Sequence, residues 1–441
     1  LNILLDILYA IALLFALPFL LIKSARTGKY RSDWAARLGH APQLAGKADG
    51  ARRLMLHCVS VGELLSVRLL VDRLLAADPL LQIILTTTTD TGTKRSREIY
   101  GEAAYRDRVI PLRYPLDFSF GIRRFLDSLH PDAIVLVELE TWPNFINIAK
   151  SRDIPIAIIN GRLTARSFNR YKLIGSVMRA MLSSIDWLGV QTQTIADRFV
   201  ALGARKDRVI ILPTLKYDVA DLSTAIPGSD LLAAACGIRP EHRLFVGGST
   251  GPGEEAALLT AYNIVRNSHP QLRLAIAPRK PETVDGVVTA VISAGLTPLL
   301  RTDYPDGTIT PANLFPDSVL ILDTLGELKK LYALGVAAFV GRSLVALGGS
   351  DMIEVAAMAK PCCFGPHTHN FAEAVELLLG NNAAVMVPDA DALTLLLAHW
   401  LDHPLDAAAM GVRAQETIKS QRGSTEIYVG KLLEFVRPLP E

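Results

Sequence analysis

Acidic residues stand where two strand-like runs end. Ser60-Val61-Gly62-Glu63 follows the run Arg53 to Val59 and opens an apolar-periodic stretch, so Glu63 has the S-x-x-E spacing of a helix cap. The same spacing leaves a carboxylate at a strand's carboxyl end, where a general base could take a proton from an acceptor hydroxyl. Both roles fit the residues. The run Ala133 to Val137 leads directly into Glu138-Leu139-Glu140-Thr141-Trp142-Pro143-Asn144. If the chain stays extended there, Glu138 and Glu140 point to one side and Leu139 to the other, with one carboxylate for a ligand and the other to hold the loop. Arg162 and Arg166 follow a further strand, as an anion grip or a solvated loop. Lys216, where the first half of the chain ends, is a point charge for an anion or a linker lysine.

The second half offers phosphate chemistry. Gly247-Gly248-Ser249-Thr250-Gly251-Pro252-Gly253-Glu254-Glu255 reads as a strand, a glycine-rich loop and a helix start, whose free N–H groups favour an anion. It lacks the G-K-[ST] and G-x-G-x-x-G patterns. Pro278-Arg279-Lys280 adds cations at the next strand end, and Gly341 to Glu354 ends in Asp351-Met352-Ile353-Glu354, spaced for a cap or for contacts to ribose hydroxyls. No H-E-x-x-H or clustered His/Cys set suggests a metal, and Asp389-Ala390-Asp391 reads as a helix cap.

These residues need a scaffold of alternating strands and helices. Strand-like runs are Arg53 to Val59, Gln82 to Thr87, Val109 to Leu112, Ala133 to Val137, Ile156 to Ile159, Trp187 to Gln191 and Val209 to Leu212. After a diluted stretch the order restarts with Arg243 to Gly247, Arg273 to Ala277, Val319 to Leu322, Ala337 to Val340, Cys362 to Phe364 and Ala384 to Val387. The fold class is therefore α/β: two doubly wound, Rossmann-like domains whose strand-end loops line a cleft. Expected boundaries are a membrane helix over 1–30, a first domain over 31–217 and a second over 218–441, with the last helix, about Thr425 to Val436, packing back on the first.

With 46 Lys and Arg against 44 Asp and Glu, the chain is not built to coat nucleic acid. Its four cysteines lack C-x-x-C spacing, which excludes a zinc ribbon and a disulfide scaffold. Residues 3–22 carry one charge, Asp6, and are long enough to cross a bilayer; a buried or surface-lying helix, which Asp6 and Pro18 would suit, is the alternative. The basic residues Lys23, Arg26, Lys29 and Arg31 follow the run and place the remainder of the chain on the cytoplasmic side.

Together the pieces resemble the 3-deoxy-D-manno-octulosonic acid (Kdo) transferase family. They are the apolar amino-terminal run, His57 to Glu63, Thr86 to Gly92, Glu138 to Asn144, Gly161 to Ser167, Leu215 to Asp218, Pro278-Arg279, Asp323 to Leu328, Gly348-Gly349, Glu354 and Gly365 to Thr368, in family order. The resemblance implies a GT-B fold and an inverting, metal-independent transfer of Kdo from CMP-Kdo to a lipid A precursor, with no resident cofactor, at the cytoplasmic face of the inner membrane. It implies Glu63 as general base and Glu138 and Lys216 as its catalytic support. It further implies that Ser249, Pro278, Arg279, Leu325, Gly326, Glu327, Asp351, Met352, Ile353 and Glu354 hold CMP. The chain departs from the family pattern at Pro213, at Gly251 where histidine is common, at Arg342 where glycine is usual, and at Ser350-Asp351 in place of His-Asn. Asp351 adds negative charge beside a nucleotide phosphate unless Arg342 pairs with it. Two other readings share the loops: a related transferase using another nucleotide sugar, and an inactive binding paralogue.

Overall fold

The computed structural model describes residues 2–27, 33–44, 46–47, 50–105, 107–304 and 315–436. The side chains of Lys23 and Arg26, with Lys29 and Arg31, which carry the expected orientation, lie outside the described residues. The chain forms two compact α/β units. One comprises Leu1–Val219 with Arg422–Glu441, and the other Ala220–Gln421.

Strands β1 (Arg52–Cys58), β2 (Leu81–Thr87), β3 (Val109–Arg113), β4 (Ala133–Val137), β5 (Ile156–Gly161), β6 (Trp187–Val190) and β7 (Val209–Ile211) make the first sheet. Its order is β3-β2-β1-β4-β5-β6-β7, with every pair parallel. Helices cover both faces, so the central strands are apolar throughout rather than alternating. Successive residues of one strand feed opposite cores: Leu54, Leu56, Val135 and Val137 join one, while Met55, Ile134 and Leu136 join Phe125 and Phe145 in the other.

The second sheet contains β8 (Arg243–Thr250), β9 (Leu272–Pro278), β10 (Thr297–Leu300), β11 (Ser318–Ile321), β12 (Ala337–Val340), β13 (Cys362–Phe364) and β14 (Val385–Met386). Its order is β10-β11-β9-β8-β12-β13-β14. In each sheet the winding direction reverses beside the first strand, between β1 and β4 and between β8 and β12. Loops at the carboxyl ends of those strands diverge and leave a crevice, which is where doubly wound sheets bind ligands.

The last helix, Ser424–Val436, packs on the first sheet through Tyr428, Val429, Leu432 and Val436. Asp218 fixes its start, accepting hydrogen bonds from the N–H groups of Gly423 and Thr425, each at 2.6 Å, and from the Thr425 hydroxyl at 2.7 Å. The Tyr428 hydroxyl accepts the Asn160 N–H at 3.0 Å, which ties the helix to the end of β5. We predict that Asp218→Asn, which turns one acceptor into a donor facing Thr425 or Gly423, costs about 1–2 kcal/mol of docking. Amide exchange across Ser424–Val436, read by mass spectrometry, rises accordingly; unchanged exchange contradicts this anchoring.

Candidate active site

Glu63 lies in the first turn of the helix Val61–Ser66, just beyond β1. Its cap is formed: Ser60 Oγ accepts the Glu63 N–H at 3.4 Å and returns its own proton to Glu63 Oε1 at 3.0 Å. The Val59 N–H donates to Oε2 at 2.7 Å. The two sequence readings are thus compatible. A carboxylate has about four lone-pair directions and the cap uses two, so the cap aims the group and leaves acceptor capacity for a substrate hydroxyl. Burial, with the nearby Glu138 charge adding to it, pushes the Glu63 carboxyl up to about 7 against the opposing pull of these hydrogen bonds.

Glu138 follows β4, the neighbour of β1 across the switch point. The chain is not extended there, because Glu138 has φ 62°, in the left-handed region that non-glycine residues avoid. The turn nevertheless keeps Leu139 against the core and gathers both acids near Glu63. Glu140, one of the two acids between which the sequence reading divided ligand and loop roles, therefore lies beside Glu63 together with Glu138. Burial, then the charges of Glu63 and Glu138, push its carboxyl up to about 7, while a hydrogen bond from Trp142 works against them. His57, one strand residue before Cys58, is buried, stacked on Tyr114 with ring centroids 4.0 Å apart, and lowered to about 3 by burial. It is a neutral core residue.

Lys216 opens a short helix, Lys216–Val219, after the edge strand β7, yet the chain returns toward the sheet centre before reaching it. The Leu215 N–H donates to Asn160 Oδ1 at 3.3 Å, and Asn160 directly follows Ile159, whose carbonyl accepts the Glu138 N–H at 3.0 Å. Asn160, with φ 52°, thus ties the Lys216 segment to the strand end beside Glu138.

In the second unit, a cavity of about 490 Å³ opens at the β8/β12 switch point, lined by Thr250 to Pro252, Arg279, Lys280, Thr283, Arg342 and Val345 to Leu347. Three cations face it. One buried acid, Glu254, shapes it: Oε2 accepts from the N–H groups of Gly251 (2.8 Å) and Arg342 (2.5 Å), and Oε1 from those of Ser343 (2.7 Å) and Leu344 (2.8 Å). Fully buried, it pins the loop after β12 to the loop after β8. The sequence reading missed it, although an acid in a glycine-rich turn was the available signal.

The other donor-side residues separate into groups. Ser249 (φ 54°) sits at the register shift between β8 and β9, and its carbonyl accepts the Ser350 hydroxyl at 3.3 Å. Pro278 ends β9, and Arg279 is fixed by its N–H to the Thr250 carbonyl at 3.0 Å. Arg279, Asp351 and Glu354 all act electrostatically on the buried Tyr332 hydroxyl, so they share one neighbourhood. Met352 and Ile353 have buried side chains in the core of the second unit. Leu325 and Gly326 form an exposed turn, and the Glu327 carboxylate is held by Arg301 at 3.2 Å and the Thr324 hydroxyl at 2.6 Å. Arg342, with φ 60°, occupies a backbone position suited to glycine, and its guanidinium donates to the Leu347 carbonyl at 3.0 Å. A Cβ added at Gly251 would meet Leu347 Cδ1 at 2.7 Å and Arg342 Cγ at 3.3 Å. Two departures from the family pattern are therefore coupled: Arg342 and Leu347 fill the room that a side chain at 251 would need.

A relative from Bordetella pertussis, a 3-deoxy-D-manno-octulosonic acid transferase, is 31% identical over 401 residues, 90% of both chains. The chain belongs to the Kdo transferase family. The family's sequence profile, 3-deoxy-D-manno-octulosonic-acid transferase (kdotransferase), matches residues 32–219, and the Haemophilus influenzae transferase of the same description is 29% identical over 98% of both chains. Among solved structures, a glycosyltransferase from Rickettsia africae (TM-score 0.59, 11% identity, 88% of this chain and 98% of that one) shares the fold. So does a UDP-GlcNAc 2-epimerase from Neisseria meningitidis (TM-score 0.58, 12% identity, 87% and 100%). This Kdo transferase family member is thus a glycosyltransferase with two GT-B-type α/β units.

Two predictions follow from the geometry. Glu254→Gln sets an amide donor against two N–H groups, which costs about 2 kcal/mol or more and weakens nucleotide binding as the loops loosen; thermal melting with and without CMP checks both effects. If Glu63 acts as the base that the resemblance implies, it must be ionised to do so, and activity then rises with pH through about 7, the value to which Glu63 is pushed. Removing the neighbouring charge with Glu138→Gln lowers that value, and the ascending limb of kcat/KM against pH moves to lower pH; an unmoved limb contradicts the coupling.

Proposed function

We propose that the protein transfers Kdo from CMP-Kdo to a lipid A precursor, with inversion, at the cytoplasmic face of the inner membrane. One observation carries the mechanism: in a chain of this family, Glu63 is pinned at the β1/β4 switch point with its carboxyl pushed up to about 7. A base of that strength accepts a proton from a sugar hydroxyl better than an ordinary carboxylate does, yet is still ionised in part near neutral pH. Glu63 takes the proton of a glucosamine hydroxyl as that oxygen bonds to the Kdo anomeric carbon. The bond from that carbon to the CMP phosphate oxygen breaks, and CMP leaves with the electron pair.

Arg279, with Lys280 and Arg342 on the same cavity, supplies the positive charge that a departing phosphate requires. Asp351 and Glu354, in the same neighbourhood as Arg279, suit ribose hydroxyls rather than phosphate. Glu138 stabilises positive character at the anomeric carbon, Glu140 orients the acceptor, and Lys216 meets the Kdo carboxylate. The scheme needs no resident metal or cofactor. The exposed apolar helix Asn2–Phe19 holds the enzyme at the membrane that supplies its acceptor.

Incubation with CMP-Kdo and tetraacylated lipid A precursor tests the reading. The native chain forms Kdo-lipid and CMP in equal amounts, and Glu63→Gln reduces the rate by about 10²–10⁴-fold. Kdo-lipid formed equally fast by both proteins contradicts the base role. A native chain that releases no CMP from this substrate pair but releases the nucleotide of another nucleotide sugar identifies a different donor.

A further inference from the structure

The amino-terminal helix, Asn2–Thr27, is not apolar on every side. Asn2, Leu5, Asp6, Tyr9 and Leu13 are half-buried, and at 3.6 residues per turn they form one stripe. Ile3, Leu4, Ile7, Leu8, Ile11 and Phe15 are exposed around the rest of the helix. The stripe is bonded to the first unit. Asp6 Oδ1 accepts from the Ser119 N–H at 2.8 Å and from Asn144 Nδ2 at 2.9 Å, and Oδ2 accepts from the Ser119 hydroxyl at 2.5 Å. The Tyr9 hydroxyl donates to Asp117 Oδ2 at 3.0 Å. Asp117 in turn accepts from the N–H groups of Asn144 and Phe145, at 3.0 and 2.8 Å, and so caps the helix Pro143–Lys150.

That capped helix continues directly from the turn bearing Glu138 and Glu140. The amino-terminal helix is therefore fastened to the same residue, Asn144, that ends the acidic turn. The fastening also limits how the helix meets lipid. While the stripe over residues 2–13 stays bonded to the unit, the rest of the helix, residues 14–27, spans about 21 Å at 1.5 Å per residue, short of the roughly 30 Å hydrocarbon core. Releasing the helix so that it could cross would carry Asp6 away from three hydrogen bonds and into lipid, where a carboxylate is strongly disfavoured.

We propose that Asp6 is a positioning residue, clamping the helix along the first unit so that it lies in the membrane surface with its apolar side in lipid, and holding the acidic turn over the acceptor. This in-plane mode replaces the single crossing suggested by length alone, and it rests on the membrane-acceptor reading given above.

Topology and kinetics test it separately. The four native cysteines are buried, so an Ile3→Cys variant of the full chain in sealed membrane vesicles of both orientations carries one reactive thiol for a membrane-impermeant maleimide. The in-plane helix gives no labelling from the face opposite the catalytic units, and labelling after detergent. Labelling from that opposite face overturns the proposal. This readout needs no substrate, so it stands even if Kdo transfer fails. In the kinetic arm, Asp6→Ala lowers kcat/KM for the lipid acceptor about tenfold while KM for CMP-Kdo and the membrane-bound fraction stay unchanged, and Asp6→Asn, which keeps the acceptor for Ser119 and Asn144, recovers most of the loss. Unaltered acceptor kinetics in Asp6→Ala, or release of that variant from the membrane, overturns the clamp.

Discussion

Three carboxylates held within electrostatic reach of one another, at the carboxyl ends of two adjacent parallel strands, are the constraint around which the first unit is organised. Glu63, Glu138 and Glu140 repel one another and are partly withdrawn from water, an arrangement that disfavours charge and by itself opposes folding. It persists because each is fixed by structure that does not depend on it alone. A formed cap holds Glu63, a left-handed turn braced by the Ile159 carbonyl holds Glu138, and Trp142 holds Glu140. The cores above and below β1 and β4 supply the stability that the cluster subtracts. The left-handed backbone of Glu138 and the raised pKa values of Glu63 and Glu140 thus occur together, where acids are delivered to a switch point.

The second unit solves the opposite problem. There the cavity is lined by three cations, on loops that would otherwise scatter. Glu254 orders them by accepting four main-chain N–H groups while fully buried, so its charge is neutralised by dipoles rather than by the arginines and lysine that face the cavity. The same logic explains why left-handed residues recur at strand ends in both sheets: Glu138 and Asn160 in the first, Ser249 and Arg342 in the second, each where the chain must turn sharply to present a loop.

Much of the fold was legible because a buried parallel strand is a run of β-branched and aliphatic residues that nothing else in the chain imitates. The exception is β10, Thr297–Leu300, an edge strand interrupted by Pro298. The unit boundary at Val219, two residues past the expected one, reflects Asp218, whose side chain belongs to the cap of the final helix. At the site, the cap at Glu63 was legible from its S-x-x-E spacing, and the formed cap leaves lone pairs for a substrate hydroxyl. The approach of Glu140 to Glu63, the role of Glu254 and the clamp at Asp6 were not legible, since each depends on partners brought in by tertiary folding: Glu63 from a different strand, N–H groups from a loop 88 or more residues away, and Ser119 more than a hundred residues on. The glycine-like backbone of Arg342 gives a physical reason for the family's usual glycine there and shows that this chain carries the conformational cost.

The central claim, that the fold tunes Glu63 into a base, is tested most directly by titrating that carboxyl itself. Isotope-edited infrared or carbon NMR spectra of glutamate-labelled enzyme, taken as the difference between the native chain and Glu63→Gln across the pH range, isolate its ionisation. The account predicts a midpoint near 7, well above the ordinary glutamate value of 4.5. A midpoint at the ordinary value would show that burial and the neighbouring acids do not act on Glu63, and would contradict it.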